Sequence, residues 1–342
     1  MDGFRVRFVD RVKEVDFLRS FCSKFRGVPL YVYGPEGCGK TRLMREFTLM
    51  FTHYFGGDAV AIYVDALERS SLSRAIVTPR SVTIVRDVFS SIIDRFTGLG
   101  IGRVLADNIA EILDRGISGR RYEDNYVLVV IDDVTQALGL DRIEWYVKWL
   151  HELLWKLYEE YRPRAINVVV TTSEGMSLDL ISRHRHASIA LIWNLDRDSY
   201  EELYYQLNPP SHLKFDDVWY LLGGNPGKLI ELSTRYDWSI DSMIESYRDT
   251  IEQFMREVTG RELLRVLEAA LEDIDVLYRE PGEEVVRLER ALVERNLVVY
   301  KKRRSLSGEY VPPSRDLGIG EYYAWQVPMY REILKNIIGR KH

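Results

Sequence analysis

An α/β chain built on a parallel sheet is predicted by three observations. Residues 34–41, GPEGCGKT, hold two glycines with four residues between them, followed by Lys and Thr, the spacing of a phosphate-binding loop. Residues 127–133, VLVVIDD, are an apolar run that ends in two carboxylates. Short, uniformly apolar segments alternate with helical periodicities as far as Asn194, where the strand pattern stops. Strands apolar on every residue belong to a sheet covered on both faces.

Taken in order, residues 4–26 begin with polar–apolar alternation up to Val9. They continue as a helix over Val15, Leu18, Phe21 and Phe25, with Asp10 as the N-cap. Residues 29–34 read as a strand feeding the glycine loop, and 43–50 as the helix that leaves it. A second strand, 59–64, ends at Asp65. Between 70 and 121 the pattern is mostly helical, about 81–96 and 104–113, around the break Gly98-Leu99-Gly100; the charged stretch 116–125 reads as a loop. A third strand over 126–131, a long helix over 143–161 closed by Pro163, and strands over 166–172 and 187–193 follow. Helices are expected at 199–207, 215–222, 227–236 and 241–258. Beyond 259 come helices near 262–271 and 283–295. Strands 297–300 and 310–311 are expected to pair across the basic turn Lys301-Lys302-Arg303-Arg304, before a last helix over 327–338. The expected domains are 1–193, 194–258 and 259–342.

A chain of 342 residues has material for more than one core. Its net charge of −5 argues against coating nucleic acid wholesale and leaves room for a local basic patch. Cys22 and Cys38 make no disulfide framework, so a reducing, cytoplasmic setting is expected. No apolar run is long enough for a bilayer, and the N-terminus lacks a signal-peptide profile, so no membrane partner is expected.

A loop between a strand and a helix N-terminus turns backbone N–H groups and the positive helix end toward a polyphosphate. The candidate binding residues are Gly34, Pro35, Glu36, Gly37, Cys38, Gly39, Lys40, Thr41 and Arg42. Lys40 is placed to reach the β- and γ-phosphates, and the Thr41 hydroxyl to ligate Mg²⁺. Asp132 is the second candidate magnesium ligand, delivered to the sheet edge by its apolar strand. Asp133 stands where many ATPases carry a glutamate that orients the attacking water. Its side chain is one methylene shorter, a loss of about 1.5 Å of reach, so slow hydrolysis is expected; a solvated turn or cap carboxylate is the plainer alternative. Thr171-Thr172-Ser173 ends the next strand with hydroxyls for the γ-phosphate, Thr172 being the catalytic candidate, or simply with turn-forming residues. Arg183 and Arg185 sit in a basic loop that is either solvated or near the γ-phosphate. His184 and His186 have no carboxylate or thiol nearby and are assigned no zinc. A helix followed by the basic turn 301–304 has the look of a winged helix. That helix carries nearly as many acids as bases, so DNA and protein partners both stay open.

This order of motifs resembles the archaeal ATPase family within the STAND branch of the AAA+-like P-loop NTPases. The resemblance runs through Phe8-Val9-Asp10-Arg11-Val12-Lys13-Glu14, GPEGCGKT, VLVVIDD, the Thr-Thr-Ser strand end and Gly224-Asn225-Pro226. In the first of these Asp10 stands for the family's Gly and Val12 for its first Glu, with Arg11 and Glu14 matched. Asp133 replaces the usual Glu, and Gln136 is one residue off a glutamine common in the family. The resemblance implies a sheet of order 5-1-4-3-2, a helical lid and a C-terminal winged helix. It also implies base contacts from Val9 and Arg11 and a lid contact from Pro226. The cofactors implied are ATP and Mg²⁺, and the implied activity is an ATP-driven conformational switch whose partner docks on the lid or the winged helix. Two rivals remain: a DNA-binding initiator-like ATPase, and an interaction protein that keeps nucleotide to stabilise its fold. No Asn-Lys-x-Asp guanine-reading motif is present.

Overall fold

The protein is described by a computed structural model over residues 6–69, 75–79, 124–172, 175–258 and 260–339. The helices expected at 81–96 and 104–113, their glycine break, most of the 116–125 loop and Ser173 lie outside the described residues.

Helix α1 (Val12–Cys22) precedes β1 (Leu30–Tyr33), the glycine loop and α2 (Lys40–Phe55). Strands β2 (Val60–Asp65) and β3 (Ile76–Val77) follow, then β4 (Tyr126–Asp132). Helices α3 (Val134–Leu138) and α4 (Leu140–Tyr161) lead to β5 (Ala165–Thr172), α5 (Gly175–Ser182) and β6 (Ser188–Leu191). The sheet order is β3-β2-β4-β5-β1-β6. Its five parallel strands run in the expected order 5-1-4-3-2, and β3 adds an antiparallel edge beside β2.

Burial on both faces explains the uniformly apolar strands. Side chains alternate, so Val60, Ile62, Val64, Val127, Val129 and Ile131 pack under α4. Ala61, Tyr63, Leu128 and Val130 pack under α1 and α2. The same parity sends Asp132 toward α2, which decides the geometry of the site.

Residue Arg11, not Asp10, caps α1, and both have left-handed backbones (φ 71 and φ 50). The Arg11 guanidinium is anchored to two carbonyls of the core, as described below. Helices α3 and α5 were not expected; each is short and follows a strand exit with little periodicity of its own.

Residues 194–258 fold as α6 (Arg197–Gln206), α7 (Phe215–Leu222), α8 (Pro226–Thr234) and α9 (Ile240–Glu257), close to the expected bounds. Side chains of Asp196, Asn225 and Ser239 accept from Ser199, Lys228 and Ser242 N–H groups at the N-termini of α6, α8 and α9. The C-terminal segment holds α10 (Arg261–Glu272), α11 (Val276–Arg279), α12 (Glu283–Glu294), β7 (Val298–Tyr300), β8 (Tyr323–Trp325) and α13 (Pro328–Gly339). Its apolar side chains share one continuous core with those of 194–258, joining Tyr200, Leu229 and Met243 to Leu288, Trp325 and Ile333.

The expected pairing of 297–300 with 310–311 does not form. Strand β7 pairs antiparallel with β8 instead. The Asp275 carboxylate decides this: it accepts from the backbone N–H groups of Glu321, Tyr322 and Tyr323 at 2.5, 2.9 and 3.0 Å, and so delivers β8 to β7. Val311 is held without being paired, its carbonyl accepting from Lys301 Nζ at 2.6 Å. The basic turn opens a long connection that docks on the core, where Leu191 N–H donates to Arg304 O and Leu306 N–H to Leu191 O. Among the described residues no helix is long and apolar enough to cross a membrane.

Candidate functional site

The glycine loop leaves β1, a strand buried on every residue, and enters α2 through Gly39 at φ 99. This left-handed turn favours glycine, and it brings consecutive backbone N–H groups round to the helix N-terminus. Lys40 is buried in the loop, its ammonium donating to Gly34 O and Pro35 O at 3.0 Å each.

In the first turn of α2, Thr41 Oγ1 donates to Asp132 Oδ2 at 2.7 Å. Tyr63 Oη donates to the same oxygen at 2.6 Å, and Thr171 Oγ1 donates to Oδ1. Asp132, 2% exposed, is thus ringed by three hydroxyls. Burial, reinforced by the Asp132 charge, pushes the Tyr63 phenol well above its ordinary value and keeps it a donor. Asp65 pairs in register with Asp132, and burial raises its carboxyl, with the Asp132 charge adding to the effect.

Strand parity separates the two threonines. Thr171 lies on the α2 face beside Asp132, whereas Thr172 turns to the opposite face, where Thr135 Oγ1 donates to its hydroxyl at 3.1 Å. The hydroxyl on the strand-end carboxylate is therefore Thr171's, not Thr172's. Asp133 caps α3 with a left-handed backbone, φ 51, and its N–H donates to Thr171 Oγ1 at 3.0 Å.

The loop forms one wall of a cleft of about 770 Å³, a size that suits a small-molecule ligand. Glu36 to Arg42, Asp133 and Gln136 are among the residues that line it, together with the apolar side chains of Phe8, Val9, Leu195, Leu203, Pro226 and Ile230. Arg11 also lines the cleft, but its guanidinium is engaged with Cys38 O at 2.7 Å, Trp193 O at 2.8 Å and Glu14 at 2.9 Å. It clasps the N-terminal segment to the loop, where the resemblance implied a base contact. Arg42 sits at the rim in an ion pair with Glu46 at 2.9 Å.

The first turn of α8 closes on the loop from the other side. Gly227 N–H donates to Gly37 O at 2.9 Å. A Cβ on Gly227 would stand 2.7 Å from Gly37 Cα, so the approach requires glycine there. Pro226 is carried to the cleft by the same contact. Arg183 and Arg185 are exposed and outside the cleft lining. The rings of His186 and His151 meet at a tilt with centroids 4.5 Å apart, and among the described residues no group of three or more His, Cys, Asp or Glu side chains is placed to hold a metal ion.

Tyr63, Asn194 and Gln326 were absent from the expected site, and Thr171 was named among the strand-end hydroxyls without being the one chosen. Strand parity sets Thr171 and Thr172 on opposite faces but does not say which faces Asp132; Gln326 had no local signal at all.

A parallel sheet with a glycine loop after β1 and an aspartate at the tip of the third parallel strand defines a P-loop nucleotide-binding α/β protein. The chain belongs to the family described as ATPase domain predominantly from Archaea, whose model matches residues 8–232. Among solved structures it is similar to the Aeropyrum pernix ORC2 protein in its ADPNP–ADP complexes, with 14% identity, 98% of each chain covered and a TM-score of 0.37. It is also similar to a Thermotoga maritima RuvB point mutant, with 16% identity over 89% of this chain and 87% of that one, TM-score 0.39. A second Thermotoga maritima RuvB point mutant gives 14% identity, 89% and 93% coverage and a TM-score of 0.35. No curated protein matches the sequence.

Proposed function

We propose that this chain binds Mg·ATP in the 770 Å³ cleft and hydrolyses it slowly, as a STAND-type conformational switch. The observation that carries the reading is the 2.7 Å contact between the Thr41 hydroxyl and the Asp132 carboxylate beside the glycine loop. Two hard oxygens so placed suit a magnesium ion; when bound, that ion neutralises charge on the phosphate oxygens.

The chain's own residues supply the rest. Backbone N–H groups of 37–42 and the α2 N-terminus receive the phosphates, and Lys40 exchanges its loop carbonyls for phosphate oxygens. The apolar side chains of Val9, Leu195 and Ile230 in the cleft lining take the base. Asp133 orients the attacking water, and Thr172 stays a candidate only if its strand end rearranges. Residues 194–258 act as the lid, since Gly227 and Pro226 reach the loop and its cleft directly and a bound nucleotide biases their docking. The C-terminal segment, read as a modified winged helix, is the surface for a protein partner. DNA is less favoured, because the first turn of α12 presents Glu283 and Glu284.

The test is thermal. Wild type should gain several degrees in melting temperature with saturating Mg·ATP, and Lys40→Ala should gain none while still unfolding cooperatively. An equal gain in the variant defeats the site assignment. A second reading, nucleotide as a purely structural ligand, draws on Asp133's short side chain. It requires that wild type and Asp133→Ala release phosphate at the same background rate.

A further inference from the structure

The main chain of Glu36, inside the glycine loop, is gripped by side chains from two distant segments. Its N–H donates to Gln326 Oε1 at 2.8 Å, and its carbonyl accepts from Asn225 Nδ2 at 2.9 Å. Asn225 Nδ2 also donates to Asn194 Oδ1 at 3.0 Å, and Asn194 Nδ2 donates to the Gln326 carbonyl at 3.3 Å. The bonds close a ring through the loop, the exit of β6, the turn before α8 and the junction of β8 with α13. Gln326 is 2% exposed and Asn225 fully buried. Water cannot replace a lost partner there, so each bond is costly to break.

Gln326 is itself held in place. Its N–H donates to Leu297 O at 2.9 Å, tying it to the start of β7. Two residues on, Pro328 presses against the lid turn, where a Cβ on Gly223 would lie 2.7 Å from its Cδ. The C-terminal segment therefore reaches the phosphate loop through one amide whose position the segment's own fold determines.

We propose that Gln326 is a positioning residue for the nucleotide. By holding the Glu36 peptide it sets the loop's conformation, and it links docking of the C-terminal segment to occupancy of the cleft. The proposal rests on the nucleotide reading above. Linkage is reciprocal, so complete detachment of the segment weakens the nucleotide and the nucleotide strengthens docking. Losing one contact while the segment stays docked and Gln326 still holds Glu36 leaves affinity unchanged.

The experiment is a calorimetric titration of Mg·ATP into the full chain. Gln326→Met keeps the side chain's length and removes the acceptor; its Kd should rise roughly tenfold. Tyr33→Phe breaks another core-to-tail hydrogen bond, Tyr33 Oη to Tyr300 O at 3.0 Å, which does not touch the loop; its Kd should stay at the wild-type value. Gln326→Asn, which draws the amide back by one methylene, should weaken binding as Gln326→Met does, and it serves if that variant does not fold. Wild-type affinity in the Gln326 variants, or equal losses in Tyr33→Phe, overturns the proposal while the cleft assignment stands. Failure of wild type to bind, or binding by Lys40→Ala equal to wild type, overturns both.

Discussion

Two buried aspartates, one in each half of the chain, hold their surroundings in opposite ways. Asp132, at the tip of β4, accepts from the hydroxyls of Thr41, Tyr63 and Thr171. Asp275, 1% exposed, accepts from three backbone N–H groups and from Arg279 at 3.1 Å. A hydroxyl can rotate and either donate or accept, so its carboxylate can change partners without moving the chain. A backbone N–H has one direction and only donates. The ring of hydroxyls suits an exchangeable ligand site; the row of N–H groups fixes a strand.

The largest expected effect breaks or sustains this contrast directly. Asp132→Asn should lower ATP turnover by at least about a hundredfold while shifting the ligand-free melting temperature little, because its hydroxyl neighbours reorient around the amide. Asp275→Asn should do the reverse. Its NH₂ group would face the Glu321 N–H or Arg279, donor against donor, at a cost of roughly 2–4 kcal/mol. Turnover per folded molecule should stay near wild type. Melting curves and phosphate release on both variants decide the matter, and exchanged phenotypes would refute the comparison.

A smaller effect sharpens the account of the hydroxyl ring. Thr171→Val should reduce turnover roughly tenfold by removing one donor to Asp132, and Thr172→Val should reduce it less, since that hydroxyl faces Thr135. Steady-state rates of the two variants should therefore rank in that order; the opposite ranking restores Thr172 as the catalytic threonine.

The smallest effect belongs to the neighbourhood of Asp275. Burial pushes the Lys301 ammonium down to about 8 from 10.5, with Asp275 and Glu321 opposing and Lys302 assisting. Below pH 8 the folded and unfolded chains both hold this proton, and the cost of burying the charge is constant. Between pH 8 and 10.5 the unfolded chain still holds the proton that the folded chain has released, so stability rises with pH. Relative to Lys301→Met, wild type should gain about 2–4 °C between roughly pH 7.5 and 9.5. A flat difference would place Lys301 in a wetter setting than its burial shows.

Much of the site was legible because consecutive residues encode it. The glycine spacing and the left-handed turn at Gly39 are local demands, as is the apolar strand running into Asp132. The choice between Thr171 and Thr172 was not legible: adjacent strand residues face opposite sides of a sheet, and choosing the side requires knowing where α2 packs. The 310–311 pairing failed because the competing partner for β7 was chosen by a carboxylate far back in the chain. Helix bounds in 194–258 were read within a few residues, since caps at Asp196, Asn225 and Ser239 mark them.

By itself the sequence determined that a glycine loop follows a buried strand, that an aspartate ends another, and that helices take over after Asn194. Tertiary structure alone decided which hydroxyls surround Asp132, that Arg11 clasps the loop, and that Gln326 reaches Glu36 from 290 positions away. The physical reason is range. Periodicity and backbone angles are properties of neighbours along the chain. A buried polar group takes whatever partner the packing of distant segments brings within about 3 Å.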